Sequence, residues 1–506
     1  MITVLNETDY SSLQQRFALQ FRNIFQNDLA EKSVVIIPSL TLDAEMLQTV
    51  KGIVHYEERL LCLLMLLRMP RTQVIYVTSI PIDASIIDYY LHLLPGITGY
   101  HARQRLTLLS CYDASRKSLT EKILERPRLI KRIREHIKFP EMAHMACFNV
   151  TEYEKQLATT LDIPIYGCDP ALLPLGSKSG SRQLFTKLGL LTPNGFENLK
   201  NEHDLAGALC ALKKNNILLR KAVIKMNEGF SGEGNAIFYY KDISGAEENA
   251  EDLVKQMLSG YLKIVAEHVS YEQYMEKFKT LGGIAEEFIE GDIKESPSVQ
   301  CRINPIGECD IISTHDQVLG GESSQVFLGG TFPAKKEYNL EIATIGMSIA
   351  KELQMQGVLG RFSIDFISVK NKSGWDHYAI EINLRKGGTT HPFLMLQFLT
   401  GGEFIWEQCR FRMPNGGERF YFASDNLVNE KYKGLTPHDL IDIAMCNGIQ
   451  YNSARQTGVM FHMVSALSQY GKIGIVCIGK TISEAMKFYH KTVEMLDYEC
   501  RSSTGT

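Results

Sequence analysis

The sequence predicts a multidomain protein mixing α/β and α+β architecture. An open α/β domain is expected over residues 1–175, two α+β pieces over 176–290 and 291–401, and a further α/β piece over 402–506. Three observations predict it. A chain of 506 residues exceeds what a single hydrophobic core ordinarily serves. Residues 1–165 alternate short β-branched runs with amphipathic stretches, the pattern of a parallel sheet with crossover helices. Beyond Gly176 the β-runs come in pairs around turn signals, the antiparallel pattern.

In the first region, Val34–Leu40, Val74–Ile80 and Leu106–Tyr112 read as buried parallel strands. No G-x-G-x-x-G follows the first of them, so a dinucleotide site is not supported. The apolar run Leu60–Leu67, bounded by Glu57, Glu58, Arg59 and Arg68, reads as a buried helix and is far too short to span a membrane. A helix over Leu119–Lys138 interleaves Lys122, Arg126, Arg128, Lys131, Arg132 and Arg134 with Glu121, Glu125 and Glu135, which reads as a solvated face. Thr151–Pro174 repeats the alternation once more.

Composition excludes several function classes. A net charge of −4 gives no electrostatic drive toward nucleic acid. Eleven cysteines without a C-x-x-C pair read as reduced, mostly buried thiols. Glu7, Asp9 and Arg16 precede any long apolar run, which argues against a secretory signal and for a cytoplasmic protein.

At Gly176 the character changes to Gly-Ser-Lys-Ser-Gly-Ser-Arg, which places Lys178 in a Ser/Gly loop before a helical pattern over Gln183–Lys187. A β-run then ends in Lys225 and opens into a loop with Glu228, Gly229, Ser231, Gly232 and Gly234, followed by a strand over Ala236–Tyr240. Glycines let backbone N–H groups approach phosphate oxygens, and the lysine supplies a point charge. Gly283–Asp292 reads as a strand, and Ser298–Ile303 pairs with Cys309–Thr314 around Asn-Pro-Ile-Gly. A glycine-rich loop over Gly320–Pro333 leads to a helix over Asn339–Gln356, with Ile342, Ile345, Ile349 and Leu353 at helical spacing.

The densest signal is a hairpin, Phe362–Val369 and Tyr378–Leu384, around Lys-Asn-Lys-Ser-Gly. Alternation puts Phe362, Ile364 and Phe366 on a core face with Tyr378, Ile380, Ile382 and Leu384. On the other face Asp365 is expected opposite Glu381, with Asn383 two residues on. Two carboxylates and an amide are hard oxygen ligands that suit Mg²⁺ or Mn²⁺. Arg385 and Lys386, followed by Gly387 and Gly388, add cationic donors and backbone N–H groups beside them, the layout of a nucleotide triphosphate site. Near the C-terminus, Gly471–Lys480 reads as a strand and Ser483–Leu496 as a helix.

The run from Glu381 to Gly388, Glu-Ile-Asn-Leu-Arg-Lys-Gly-Gly, resembles the metal-binding end of the ATP-grasp superfamily. So does the whole order: Lys178, Lys225 with its glycine loop, a hinge strand, Asp365, then Glu-x-Asn. With Lys-Ser-Gly-Ser-Arg, Arg-Lys-Gly-Gly-Thr-Thr-His-Pro and Gly458-Val-Met-Phe-His-Met, nearly the whole chain resembles the peptide-ligase-related ATP-grasp family typified by the pheganomycin ligase. That resemblance implies a Rossmann-like pre-ATP-grasp domain, an ATP-grasp fold and a C-terminal α/β extension. It also implies an ATP-dependent carboxylate–amine ligase that works through an acyl phosphate. ATP and Mg²⁺ (or Mn²⁺), as two ions on Asp365, Glu381 and Asn383, are the implied cofactors.

By the same resemblance, Lys178 and Lys225 hold phosphates under the loop of Glu228, Gly229, Ser231, Gly232 and Gly234. Arg385 stabilises the γ-phosphate and oxyanion, with Lys386 and Arg302 as further cations. Glu286 accepts from the exocyclic amine, Glu287 and Ile289 give backbone contacts, and Asp292, or else Glu290 or Glu295, meets the ribose. His391 lines the substrate pocket, whereas His462 reads as a packed histidine. The implied partners are a small-molecule carboxylate and an amine or peptide, without nucleic acid or membrane, and a homodimer is the oligomer to consider. An ATP-grasp carboxylase or other small-molecule ligase, and a nucleotide-binding regulator without turnover, stay open as alternatives.

Overall fold

The computed structural model describes residues 7–25, 27–42, 47, 50–229, 234–240, 250–266, 269–320 and 326–502. The first region forms a parallel sheet from β1 (Lys32–Ile37), β2 (Thr72–Thr78), β3 (Leu106–Ser110) and β4 (Ala143–Cys147), in the order β3-β2-β1-β4. Val34 pairs with Val74 on one side and His144 on the other. Three of these strands lie where apolar runs were expected. The fourth precedes Thr151, because Thr151 is the N-cap of the helix Glu152–Leu161 and forms a capping box with Glu154.

Two further expectations are corrected in this region. The helix expected over Leu119–Lys138 is two, Leu119–Leu124 and Pro127–His136, because proline removes an N–H and crowds the preceding turn. Its basic residues are not all solvated: Lys122 is buried and donates to Ser79 Oγ at 2.9 Å. The Leu60–Leu67 run does lie in a buried helix, a long 3₁₀ segment over Ile53–Arg68 that carries Glu57, Glu58 and Arg59 inside with it.

The second region is an antiparallel sheet of β5 (Gly195–Leu199), β6 (Lys221–Met226), β7 (Asn235–Tyr239), β8 (Leu262–Ile264) and β9 (Gly283–Glu287), ordered β5-β9-β6-β7-β8. Its apolar face packs on the helices Glu202–Asn215, Ala250–Tyr261 and Tyr271–Leu281, through Leu209, Phe238, Leu258 and Phe278 among others.

The remaining strands are β10 (Lys294–Glu295), β11 (Pro297–Ile303), β12 (Cys309–Gly320), β13 (Val326–Phe332), β14 (Gly360–Lys370), β15 (Trp375–Asn383), β16 (Glu403–Ile405), β17 (Arg410–Arg412), β18 (Phe420–Val428), β19 (Gly458–His462) and β20 (Lys472–Gly479). β16 and β17 pair with each other, and the others form one sheet ordered β10-β14-β11-β12-β13-β18-β20-β19, with β15 also on β14. The C-terminal strands therefore extend the sheet that carries the Asp365 hairpin. Half of the glycine-rich stretch expected as a loop, Val326–Phe332, is strand β13; its residues 321–325 lie outside the described residues.

The core of the N-terminal region is continuous with that of the C-terminal strands: Leu60, Leu64 and Tyr90 belong to one cluster with Phe393, Phe461 and Val476. This continuity holds the 3₁₀ helix against β18 and β19. All eleven cysteines are free. Among the described residues, no helix is long and apolar enough to cross a membrane.

Candidate functional site

The β14–β15 ladder sets the centre of the site. Its register pairs Asp365 with Glu381 and Ser363 with Asn383. The register shifts between Asp365 and Phe366, so Phe366 pairs with Ala379 and Ile380 is the extra residue. The bulge corrects the expected core face: His377 and Ala379 are buried in place of Tyr378 and Ile380, and Ile380 lines the cleft beside Glu381. Asn383 Nδ2 donates to Asp365 Oδ2 at 3.1 Å and to Glu381 Oε1 at 2.8 Å, which gathers the three side chains into one group. Burial pushes the Asp365 carboxyl up from its ordinary value, against a hydrogen bond from Ser298 and the charges of Lys178 and Arg385.

These groups floor a cleft of about 390 Å³ that also takes in Lys178, Lys225, Gly229, Gly234, Arg385, Gly387 and Gly388. Lys178 opens the helix Lys178–Lys187, whose N-cap Ser177 accepts from the Gly180 N–H. The helix sits tightly on β15, since Ile382 N–H donates to Ser181 Oγ at 3.0 Å and a Cβ on Gly176 would lie 3.1 Å from the Ile382 carbonyl. That seat brings the Lys178 ammonium into an ion pair with Glu381. Burial, reinforced by Lys225, pushes the Lys178 ammonium down to about 7, while Asp365 works the other way.

Lys225, next to last in β6, pairs with Glu286 Oε2 at 2.8 Å. Arg182 Nη1 pairs with Glu286 Oε1 at 2.9 Å and donates to the Pro193 carbonyl at 2.7 Å. The Glu286 carboxylate, expected to meet an exocyclic amine, is thus engaged on both oxygens by cations. Glu287 and Ile289 do line the cleft. The Glu287 N–H is committed to the Asn194 carbonyl at 2.8 Å, so its own carbonyl is what it can offer a ligand. The Ile289 carbonyl accepts from Lys294 at 3.3 Å.

Several expected residues lie elsewhere. Arg302 is on β11 four residues beyond Ser298, roughly 13 Å along the strand, and pairs with Asp310 outside the cleft. Lys386 is drawn to the N-terminal sheet, its backbone N–H donating to Phe148 O and its ammonium to Cys147 O. Asp292 and Glu290 are exposed, and Glu295 pairs with Lys335; none of the three lines the cleft. Glu228 is exposed and Ser231 and Gly232 lie outside the described residues. His391 is buried behind the cleft wall and does not line it. Its Nε2 lies 2.9 Å from Nε2 of His462, which lies 2.6 Å from Asp425 Oδ1.

The sequence did not point to one part of the cleft lining. Tyr56 and Arg59 of the 3₁₀ helix, Phe148 after β4, and Asp425 and Asn426 of β18 line it. The available signal was Glu57-Glu58-Arg59 directly before an apolar helical run, where charges cannot all reach water.

The donor set fits a divalent metal. Two carboxylates opposed across a ladder, with an amide beside them, offer hard oxygens next to the cationic side chains of Lys178, Lys225 and Arg385. Gly229 and Gly234 bring backbone to the same wall.

Comparison with known proteins bears on this arrangement. Residues 172–255 and 245–407 match a family model described as IQCH-like, ATP-grasp, and residues 439–492 match one described as PGM1 C-terminal domain. The chain is 26% identical over 471 residues to the L-propargylglycine–L-glutamate ligase of Streptantibioticus cattleyicolor, covering 91% of this chain and 93% of that one. It is 20% identical to the IQ motif-containing protein H of Danio rerio over 93% of this chain, spanning 49% of that relative's length. In fold it is similar to the biotin carboxylase domain of Hydrogenobacter thermophilus 2-oxoglutarate carboxylase. The TM-score is 0.54 at 13% identity, over 91% of this chain and 89% of that one.

Proposed function

We propose that the chain is an ATP-grasp ligase that couples a carboxylate to an amine, and that it activates an amino-acid or peptide carboxylate as an acyl phosphate. The observation that carries this reading is the opposed pair Asp365 and Glu381, set with Asn383, Lys178, Lys225 and Arg385 around one cleft. Residues 176–290 act as the lid, 291–401 as the metal and phosphate part, and the strands beyond 402 as an extension of its sheet. The relative that couples L-propargylglycine and L-glutamate supports amino acids as substrates.

The chemistry follows from charge. A carboxylate is a poor electrophile, so its oxygen first attacks the γ-phosphorus of ATP and ADP departs. The amine nitrogen then attacks the acyl carbon, phosphate departs, and the amine proton leaves with it. Asp365, Glu381 and Asn383 would hold Mg²⁺, as two ions, which when bound offset charge on the phosphate oxygens. Lys178 and Lys225 bind the phosphates as point charges, Lys225 being aimed by the Glu286–Arg182 pair. Arg385, half-buried in the cleft wall, serves the γ-phosphate and the oxyanion that develops on the acyl carbon. The glycine loop after Lys225 excludes water, the competing nucleophile.

Hydroxylamine tests the reading. With ATP, Mg²⁺ and a panel of amino acids, one acid yields a hydroxamate in step with ADP and phosphate. AMP as product, or ADP release with bicarbonate and no trapped acyl group, overturns it.

A further inference from the structure

The same cleft is also lined by the 3₁₀ helix Ile53–Arg68, through Tyr56 and Arg59, and by β18, through Asp425 and Asn426. Neither element supplies any of the residues placed around the phosphates.

Arg59 dominates this part of the lining. Its residue is only 7% exposed, yet it lines the cleft. Its guanidinium stands 4.1 Å over the Tyr56 ring and 5.7 Å from that of Phe148, so aromatic faces fix its plane. Nη2 is 2.7 Å from Asp425 Oδ2. Asp425 is itself pinned through its other oxygen, 2.6 Å from His462 Nε2 and 3.3 Å from His391 Nε2. One edge of the guanidinium is therefore immobilised, while Nε is buried without a hydrogen-bond partner. A buried donor left unmatched is costly, and a guanidinium fork held in a fixed plane is matched best by a planar carboxylate.

Position and charge narrow the ligand further. Asp365 and Arg59 both act electrostatically on Arg385, so the Arg59 and Arg385 guanidiniums lie near one another in the cleft wall, with Asp425 on Arg59 and Asp365 beside Arg385. An anionic group is wanted there in addition to the phosphates. On the ligase reading above, on which this inference rests, the amine needs a place beside Arg385 that the nucleotide does not fill, and Arg59 lines the cleft near enough to act on Arg385.

We propose that Arg59 is the anchor for a free carboxylate on the amine-bearing substrate, so that the nucleophile is an α-amino acid or a peptide with its own carboxylate and not a simple amine. The carboxylate bound by Arg59 is unchanged by the reaction. Asp425, with His391 and His462 behind it, is a positioning residue that holds the fork in plane.

The test uses the full chain and the acid found by hydroxylamine trapping. It compares a panel of L-amino acids with the same amino acids as α-amides, in the unaltered protein and in Arg59→Gln and Arg59→Lys. The unaltered protein should couple the free amino acid at least roughly tenfold better than its amide. In Arg59→Gln the KM for the amino acid should rise roughly ten- to hundredfold and the preference over the amide should vanish. Hydroxamate formation, whose nucleophile carries no carboxylate, should fall far less than amino-acid coupling. Arg59→Lys, which keeps the buried charge beside Asp425 but not the fork, should retain part of the preference. Equal use of acid and amide by the unaltered protein overturns the inference even if neither variant folds. So does an Arg59→Gln protein that still discriminates, or one that loses hydroxamate formation as steeply as coupling. If no acid gives a hydroxamate at all, the ligase reading itself fails, a result distinct from each of these.

Discussion

The ammonium of Lys178 is ion-paired with the carboxylate of Glu381, and a different part of the chain delivers each. Lys178 opens a helix that Ser181 ties to the Ile382 backbone, while Glu381 faces Asp365 across the β14–β15 ladder and takes a hydrogen bond from Asn383. Glu381 is thus the junction of the cations and the carboxylates. Glu381→Gln keeps the shape and the hydrogen bond but removes the charge. It should lower ADP formation by roughly a hundredfold or more at saturating Mg²⁺. Binding of ADP without Mg²⁺, followed by calorimetry, should persist, because the Glu287–Ile289 wall of the cleft is untouched. Turnover within roughly tenfold of the unaltered protein removes Glu381 from the metal assignment.

The chain Lys225–Glu286–Arg182 separates two jobs that sequence alone merges. Arg182 makes four contacts, to Glu286, Glu197 and the carbonyls of Pro193 and Gly195, all of which hold β5 and β9 to the helix Lys178–Lys187. Arg182→Ala leaves a buried carboxylate with one partner fewer and should destabilise the fold by about 3 kcal/mol or more, read by urea unfolding. Lys225→Ala leaves Glu286 paired with Arg182. It should cost less in unfolding but weaken nucleotide binding by about 1.5–3 kcal/mol. The opposite ranking in both assays defeats the division of roles.

Gly180 tests whether the helix seat matters. A Cβ there would lie 2.0 Å from the Pro174 carbonyl oxygen, a rigid backbone atom, so Gly180→Ala must shift the first turn and Lys178 with it. A loss of about 1–3 kcal/mol in stability, with weakened ATP binding, is expected. Gly260, in the helix Ala250–Tyr261, has nothing within 4 Å of its Cβ position. Gly260→Ala should therefore be neutral or stabilising by about 0.5–1 kcal/mol. Matching melting curves for the two variants would show that the seat is not fixed.

The Asp365–Glu381 opposition was legible because hairpin register is local: a Lys-Asn-Lys-Ser-Gly turn pins it, and two-residue periodicity does the rest. The bulge at Ile380 was not legible, since an extra residue leaves no mark on a pattern until its neighbours pack, and it moved Tyr378 and Ile380 off the core face. Arg385 and Lys386 are adjacent, yet only the first lines the cleft; which of two neighbours turns inward depended on the Cys147 and Phe148 carbonyls of a distant strand end. The surroundings of Arg59 were invisible for the same reason, because Tyr56 and Phe148 of the N-terminal region meet Asp425 only when that region shares a core with the C-terminal strands.

Glu57 carries a consequence for pH that involves none of the cleft groups. Its carboxylate accepts from Ser79 N–H at 2.7 Å and Ser79 Oγ at 2.6 Å. Burial nevertheless pushes it up to about 7 from 4.5, with Ser79 and the more distant charges of Lys122 and His55 opposing the rise. The folded state then binds more protons at this position than the unfolded state between about pH 4.5 and 7. Stability from this group is complete below the lower value and is lost as pH rises through the upper one. Glu57→Gln stays neutral throughout and can still accept from the Ser79 N–H. Its melting temperature relative to the unaltered protein should therefore climb from about pH 5 to about pH 8. Thermal denaturation of both proteins at those two pH values reads the difference directly. A difference that stays constant, or shrinks with rising pH, means that the Glu57 carboxyl titrates in its ordinary range despite its burial.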